Sequence, residues 1–89
     1  MTENWTARFE QASKDVTALS EAPDIPTKLR LYALFKQSTN GDCGGDRPGM
    51  LDMAGRAKYD SWKALAGLSK EEAMQAYVAL TEELKAADV

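Results

Sequence analysis

Three short stretches carry the side chains able to do chemistry. In "LYALFKQSTNGD", residues 31–42, Lys36 stands one turn beyond Tyr32 and next to Phe35. Residues three and four apart share a helix face, so the lysine lies beside aromatic rings on the apolar side, where an unpartnered charge is costly. In "RAKYDSW", residues 56–62, Lys58 precedes Tyr59 and sits one turn before Trp62. Tyr77 adds a phenol further along. Lysine stems lie over rings with the ammonium in water, which is a structural use of such pairs. Two ammonium groups and two or three phenols also suit a phosphate, and aromatic faces suit a nucleotide base. Spacing along the chain leaves both readings open.

Other chemistries are excluded by composition. The 89 residues contain no histidine and one cysteine, Cys43. That removes imidazole acid–base catalysis, Ser-His and Cys-His pairs, His-containing zinc sets and an internal disulfide. No metal site is expected, and no matched nucleophile–base pair is visible. Net charge is −3, distributed unevenly: residues 28–63 carry seven basic and four acidic groups, +3, while the rest carry four and ten, −6. A basic middle in an acidic chain directs a small anion to one face, whereas a nucleic-acid binder would need a long basic stripe.

Four helices must position these groups. Trp5, Phe9, Ala12, Val16 and Leu19 recur at helical spacing over 5–19. After "SEAPDIP", Asp24 caps a second helix with Pro26 in its first turn, and Gly41 ends it. The loop "GDCGGDRPG" lacks the Lys-Ser/Thr pair of a phosphate loop, and a calcium loop from Asn40 would close on Leu51 instead of glutamate. A structural role is expected for it, with Arg47 paired to an acid and Met50 and Leu51 pinned to the core. A third helix starts near Asp52, clusters Ala57, Lys58, Tyr59, Trp62 and Leu65, and stops at Gly67. Ser69 and Glu72 form a capping box for a fourth, striped by Ala73, Tyr77, Leu80 and Leu84. The expectation is an all-α four-helix bundle forming a single domain over 1–89. "MTENWTARFEQ" has neither a basic n-region nor an apolar h-region, so the chain is expected to be cytoplasmic.

"YALFKQSTNGD", "RPGMLDMAGRAKYDSW" and "LSKEEAMQAY" together resemble the acyl-CoA-binding protein family from about Phe9 to Leu84. The family pattern runs roughly Tyr-x-x-Tyr-Lys-Gln-Ala-Thr-x-Gly-Asp, then Arg-Pro-Gly, then Lys-Ala-Lys-Trp-x-x-Trp. The resemblance implies an up-down-down-up bundle with a long crossover loop between helices two and three. It implies binding and transport of long-chain fatty acyl-CoA, with no cofactor and no stable membrane insertion, by a monomer in transient contact with acyl-CoA-using enzymes. Tyr32, Lys36 and Lys58 would contact the nucleotide and its 3′-phosphate, Phe35 the adenine, and Tyr77 would lie along the site. Leu29, Phe9 and Ala12 would face the acyl chain. Three departures stand out: Phe35 for tyrosine, Ala54 and Arg56 for lysines, and Tyr59 for tryptophan. Lost donors weaken headgroup binding without changing the ligand. The competing class is a helical protein-interaction module anchored by exposed aromatics.

Overall fold

The computed structural model describes residues 4–88. Residues 1–3, which begin the stretch tested for a leader, and Val89 lie outside the described residues. The helices are α1 (Trp5–Thr17), α2 (Ile25–Asn40), α3 (Met53–Lys63) and α4 (Lys70–Ala87).

Each helix starts on a side chain that accepts an otherwise unpaired backbone N–H. Asn4, Asp24, Asp52 and Ser69 do this for α1 to α4, and Ser69 with Glu72 completes the expected capping box. Gly41 closes α2 at φ 82°, a left-handed conformation that favours glycine, and donates its N–H to Gln37 O. α1 stops at Thr17, two residues early. α3 stops at Lys63, short of Gly67, because the next bonds run three residues back (Leu65 to Trp62, Ala66 to Lys63) and tighten the chain into turns.

α4 packs on both α1 and α2, while α3 packs on α2 alone. Cross-links give the directions. Phe9 meets Tyr77 and Asp15 meets Lys85 at 3.0 Å, so α1 and α4 run parallel. Gln37, late in α2, bonds Leu68, just before α4, so these two are antiparallel. Tyr32 faces Lys58 and Lys36 faces Trp62, so α2 and α3 are parallel. The result is an up-down-down-up order in a slab 42 × 32 × 15 Å.

Two consecutive parallel helices require a long return. Residues 41–52 must come back along α2 to the level of Ile25, roughly 22 Å at 1.5 Å per residue. Twelve extended residues reach about 40 Å, so the loop is long enough with slack.

The core lies where α4 meets α1 and α2: Phe9, Ala12, Leu31, Leu34, Ala73, Tyr77 and Val78. Leu80 and Leu84 flank it, joined by a buried Thr81 whose hydroxyl donates to Tyr77 O. α3 contributes no fully buried residue among those described: Ala57, Tyr59 and Trp62 of its expected cluster are half-buried, because only α2 covers it.

The loop is also held differently from expectation. Met50 and Leu51 do not pin it: they are 78% and 101% exposed. Polar anchors to α3 serve instead. Arg47 forms the expected ion pair, bidentate with Asp60 at 3.0 and 2.7 Å. Arg56 donates to Pro48 O, and Tyr59 donates its hydroxyl to Gly45 O.

Candidate functional site

The parallel α2–α3 pair sets two rungs of a ladder. Tyr32 and Lys36 are one turn apart on α2, and Lys58 and Trp62 are one turn apart on α3. Each lysine crosses to the other helix: Lys58 Nζ lies 5.5 Å from the Tyr32 ring centroid, and Lys36 Nζ 5.1 Å from that of Trp62. Four residues of helix rise about 6 Å, so the two ammonium groups occupy neighbouring turns of one seam. Among the described residues neither has a carboxylate partner within 4.0 Å.

Beneath the seam lies a buried polar hub. Gln37, 0% exposed, donates Nε2–H to Asp42 Oδ1 (2.8 Å) and Leu68 O (2.7 Å). Its Oε1 accepts from Trp62 Nε1, 3.1 Å away, and the same indole N–H reaches Gly41 O at 2.8 Å. Asp42 also accepts the Gly67 N–H at 3.0 Å. That bond, then the Gln37 bond, holds its carboxyl below the ordinary 3.8. Four segments thus meet at one amide, which locks the Trp62 ring under Lys36. Lone buried polar groups of this kind are retained only when satisfied.

Below the Lys58–Tyr32 rung, a groove of about 240 Å³ opens between the N-terminal halves of α2 and α3. Ile25, Leu29, Ala54 and Ala57 supply apolar walls, with Lys28, Tyr32 and Lys58 as its polar members. No acid lines it. Ala54 and Ala57 are small, which leaves the space that longer side chains would fill.

On the other flank of Tyr32, three rings pack together. Phe9–Phe35, Phe9–Tyr77 and Phe35–Tyr77 centroids are 5.3, 5.0 and 6.2 Å apart, in tilted and edge-on arrangements that suit aromatic quadrupoles. Phe35 is 40% exposed and adjoins Tyr32 at i+3, so the trio continues the surface of the seam. Tyr77 is buried, and burial pushes its phenol above the usual 10.0, so it stays a neutral donor at physiological pH. Its hydroxyl has no hydrogen-bond partner among the described residues, and neither does that of Tyr32.

Of the residues expected from sequence, Tyr32, Lys58 and Leu29 share the groove, Lys36 lies one rung on, and Phe35 and Tyr77 extend the strip. Phe9 forms the covered floor of the trio. Ala12 is separate: it is buried and lines a small α1–α4 groove with Arg8, Gln11 and Val78. Tyr59 and Arg56 are engaged by the loop, so only Phe35 and Ala54 among the departures face the strip. Sequence reasoning passed over Gln37, whose signal was a long polar side chain between Leu34 and Ser38 on a buried face.

Fold and site together define a small four-helix binding module with a cationic, aromatic seam beside an apolar groove. The Acyl CoA binding protein family profile matches residues 6–81. Acyl-CoA-binding protein homolog 1 of Caenorhabditis elegans is 48% identical over 79 residues, 89% of this chain and 92% of that protein. A Manduca sexta acyl-CoA-binding protein homolog is 49% identical over 78 residues, covering 86% of this chain and 87% of its own. The crystal structure of Oryza sativa Acyl-CoA-Binding Protein 2 superposes with TM-score 0.90 at 36% identity, over 94% of this chain and 93% of that one. The chain belongs to the acyl-CoA-binding protein family.

Proposed function

We propose that this chain binds long-chain fatty acyl-CoA esters non-covalently, sequesters them and carries them between enzymes, with no bond made or broken. The observation that supports this best is the pair of uncompensated ammonium groups, Lys36 and Lys58, held on neighbouring turns against Trp62 and Tyr32. In this reading the two lysines and Tyr32 take the nucleotide and its 3′-phosphate, Phe35 stacks on the adenine, and Tyr77 lies alongside. The acyl chain follows Leu29 into the groove walled by Ala54 and Ala57. Phe9 acts from beneath, by supporting Phe35 and Tyr77, and Ala12 only by packing.

Two terms drive binding. A charge-assisted hydrogen bond contributes about 1.5–3 kcal/mol when well made, and each fully covered methylene about 0.8 kcal/mol. Because the ladder is preformed by the Gln37 hub, little ordering cost is left. The chain works as a single domain and monomer in the cytoplasm, needs no cofactor or metal, and meets acyl-CoA-using enzymes transiently. No helix among the described residues is long and apolar enough to cross a membrane.

Titration calorimetry with palmitoyl-CoA, CoA and palmitate tests the reading. Palmitoyl-CoA should bind tightest, CoA next and palmitate least. Equal affinity for all three, or none, refutes it. A second reading, a helical protein-interaction module, draws on the exposed Ile25, Met50, Leu51 and Met53 around the adjoining helix starts. Native mass spectrometry separates the two: co-purified acyl-CoA supports the first, a stoichiometric protein partner the second.

A further inference from the structure

The α2–α3 ladder has a third rung. Tyr32 faces Lys58 and Lys36 faces Trp62. The same register, carried one turn toward the helix starts, sets Lys28 opposite Ala54. Both residues line the groove beside Lys58, so they share one space as well as one level. Each of the first two rungs rests an ammonium against a ring. The third offers Lys28 only the methyl of Ala54, with Ala57 one turn along the same wall.

Acids stand close in sequence and are occupied elsewhere. Asp24, one turn earlier on α2, accepts the Thr27 N–H at 3.0 Å, and Asp52 accepts the Gly55 N–H at 2.9 Å. Among the described residues no carboxylate lies within 4.0 Å of the Lys28 ammonium, and no acid lines the groove. Lys28 is exposed as a whole while its side chain contributes to the groove wall. A flexible stem on an apolar wall, ending in an unpaired ammonium opposite two small residues, has both the reach and the room for an anion.

Which anion follows from the ligand, so the inference rests on the acyl-CoA reading. With the 3′-phosphate between Lys36 and Lys58, the 5′ arm carries the diphosphate and then the acyl chain, and must leave toward the groove. One rung of the ladder is about 6 Å of helix rise. The ribose bridge between the 3′ and 5′ phosphorus atoms is a short run of single bonds that spans about 6 Å and falls short of two rungs, roughly 12 Å. We infer that Lys28 binds the 5′-diphosphate of the acyl-CoA, one turn from the pair of lysines that takes the 3′-phosphate. The ligand is then held at two separate anionic groups, and each cation can be removed without disturbing the other.

The test is titration calorimetry of the full chain and two variants with palmitoyl-CoA and with palmitoyl-dephospho-CoA, which lacks the 3′-phosphate and keeps the diphosphate. Lys28→Met retains an apolar stem and removes the charge. It should weaken both ligands by the same factor, roughly two- to fivefold. Its Tm should match the wild type, because the Lys28 side chain has no hydrogen-bond or ion-pair partner among the described residues. Adding Ala54→Lys to Lys28→Met returns an ammonium to the same rung from the α3 side and should restore both affinities. A Kd within twofold of wild type in Lys28→Met, or a tighter one, would make Lys28 a solvated surface residue or a wall for the chain and overturn the proposal. So would a loss confined to palmitoyl-CoA, which would place Lys28 at the 3′-phosphate, or a double variant no tighter than the single one. A wild-type protein that binds neither ligand would remove the acyl-CoA reading and this inference together, whereas normal wild-type binding with an unaffected Lys28→Met removes this inference alone.

Discussion

Replacing Lys36 separates a structural lysine from a ligand-binding one. In the free protein its ammonium sits 5.1 Å from the Trp62 ring, half-covered and without an acid partner among the described residues. Losing that cation–π contact should cost about 0.5–1 kcal/mol of stability. For a domain of this size that is about 2–8 °C in Tm. If the same ammonium bonds a phosphate, its removal costs the complex about 1.5–3 kcal/mol, or about 10- to 150-fold in Kd. Lys36→Met keeps most of the stem that covers Trp62 and removes the charge, so its Tm should stay nearer the wild type than that of Lys36→Ala. Calorimetry with palmitoyl-CoA gives Kd for both variants, and a melting curve gives Tm. Both should lose binding alike. A Kd within threefold of wild type, combined with a Tm drop well beyond 8 °C, would show that Lys36 serves the fold and would refute the reasoning.

Gln37→Leu should be the more damaging substitution for stability. It leaves Leu68 O without its donor and removes one of two acceptors from Trp62 Nε1, a loss of about 2–4 kcal/mol, and should broaden or shift Trp62 fluorescence. A Tm within a few degrees of wild type would mean that the hub is not structural. Acid should release the crossover loop. Asp60, bonded by Arg47, and Asp42, bonded by Gly67 and Gln37, are both held below 3.8 in the folded chain. Their stabilisation is complete above the unfolded value and fades as pH falls below about 3.9 through the depressed folded values. Asp60→Asn should therefore flatten the acid limb of a stability–pH curve, and an unchanged limb would count against the loop anchor. Tyr77 behaves oppositely: its phenol, raised by burial, favours the folded state up to about pH 10, and ultraviolet titration should show a phenol ionising above the usual 10.0 that Tyr77→Phe removes.

What was legible in the sequence was local. The caps at Asp24 and Ser69 and the glycine stop at Gly41 depend on neighbours within a turn, and each stands where spacing put it. Phe9, Ala73 and Tyr77 are core because an apolar stripe needs only helical periodicity. The aromatic partners of the lysines were legible only in kind. Spacing pairs Lys36 with its own helix, whereas the parallel α2–α3 packing hands it to Trp62 and gives Tyr32 to Lys58. Met50 and Leu51 read as anchors by hydrophobicity, yet both stay exposed, and the loop is held to α3 by polar partners, Asp60 for Arg47 and the Tyr59 hydroxyl for Gly45 O.

The most direct test is a crystal structure of the protein with palmitoyl-CoA. The account predicts the 3′-phosphate within hydrogen-bond reach of both Lys36 and Lys58, the base against Phe35, and the chain entering beside Leu29. A nucleotide bound on any other face, with those two ammonium groups still resting on Trp62 and Tyr32 alone, would contradict it.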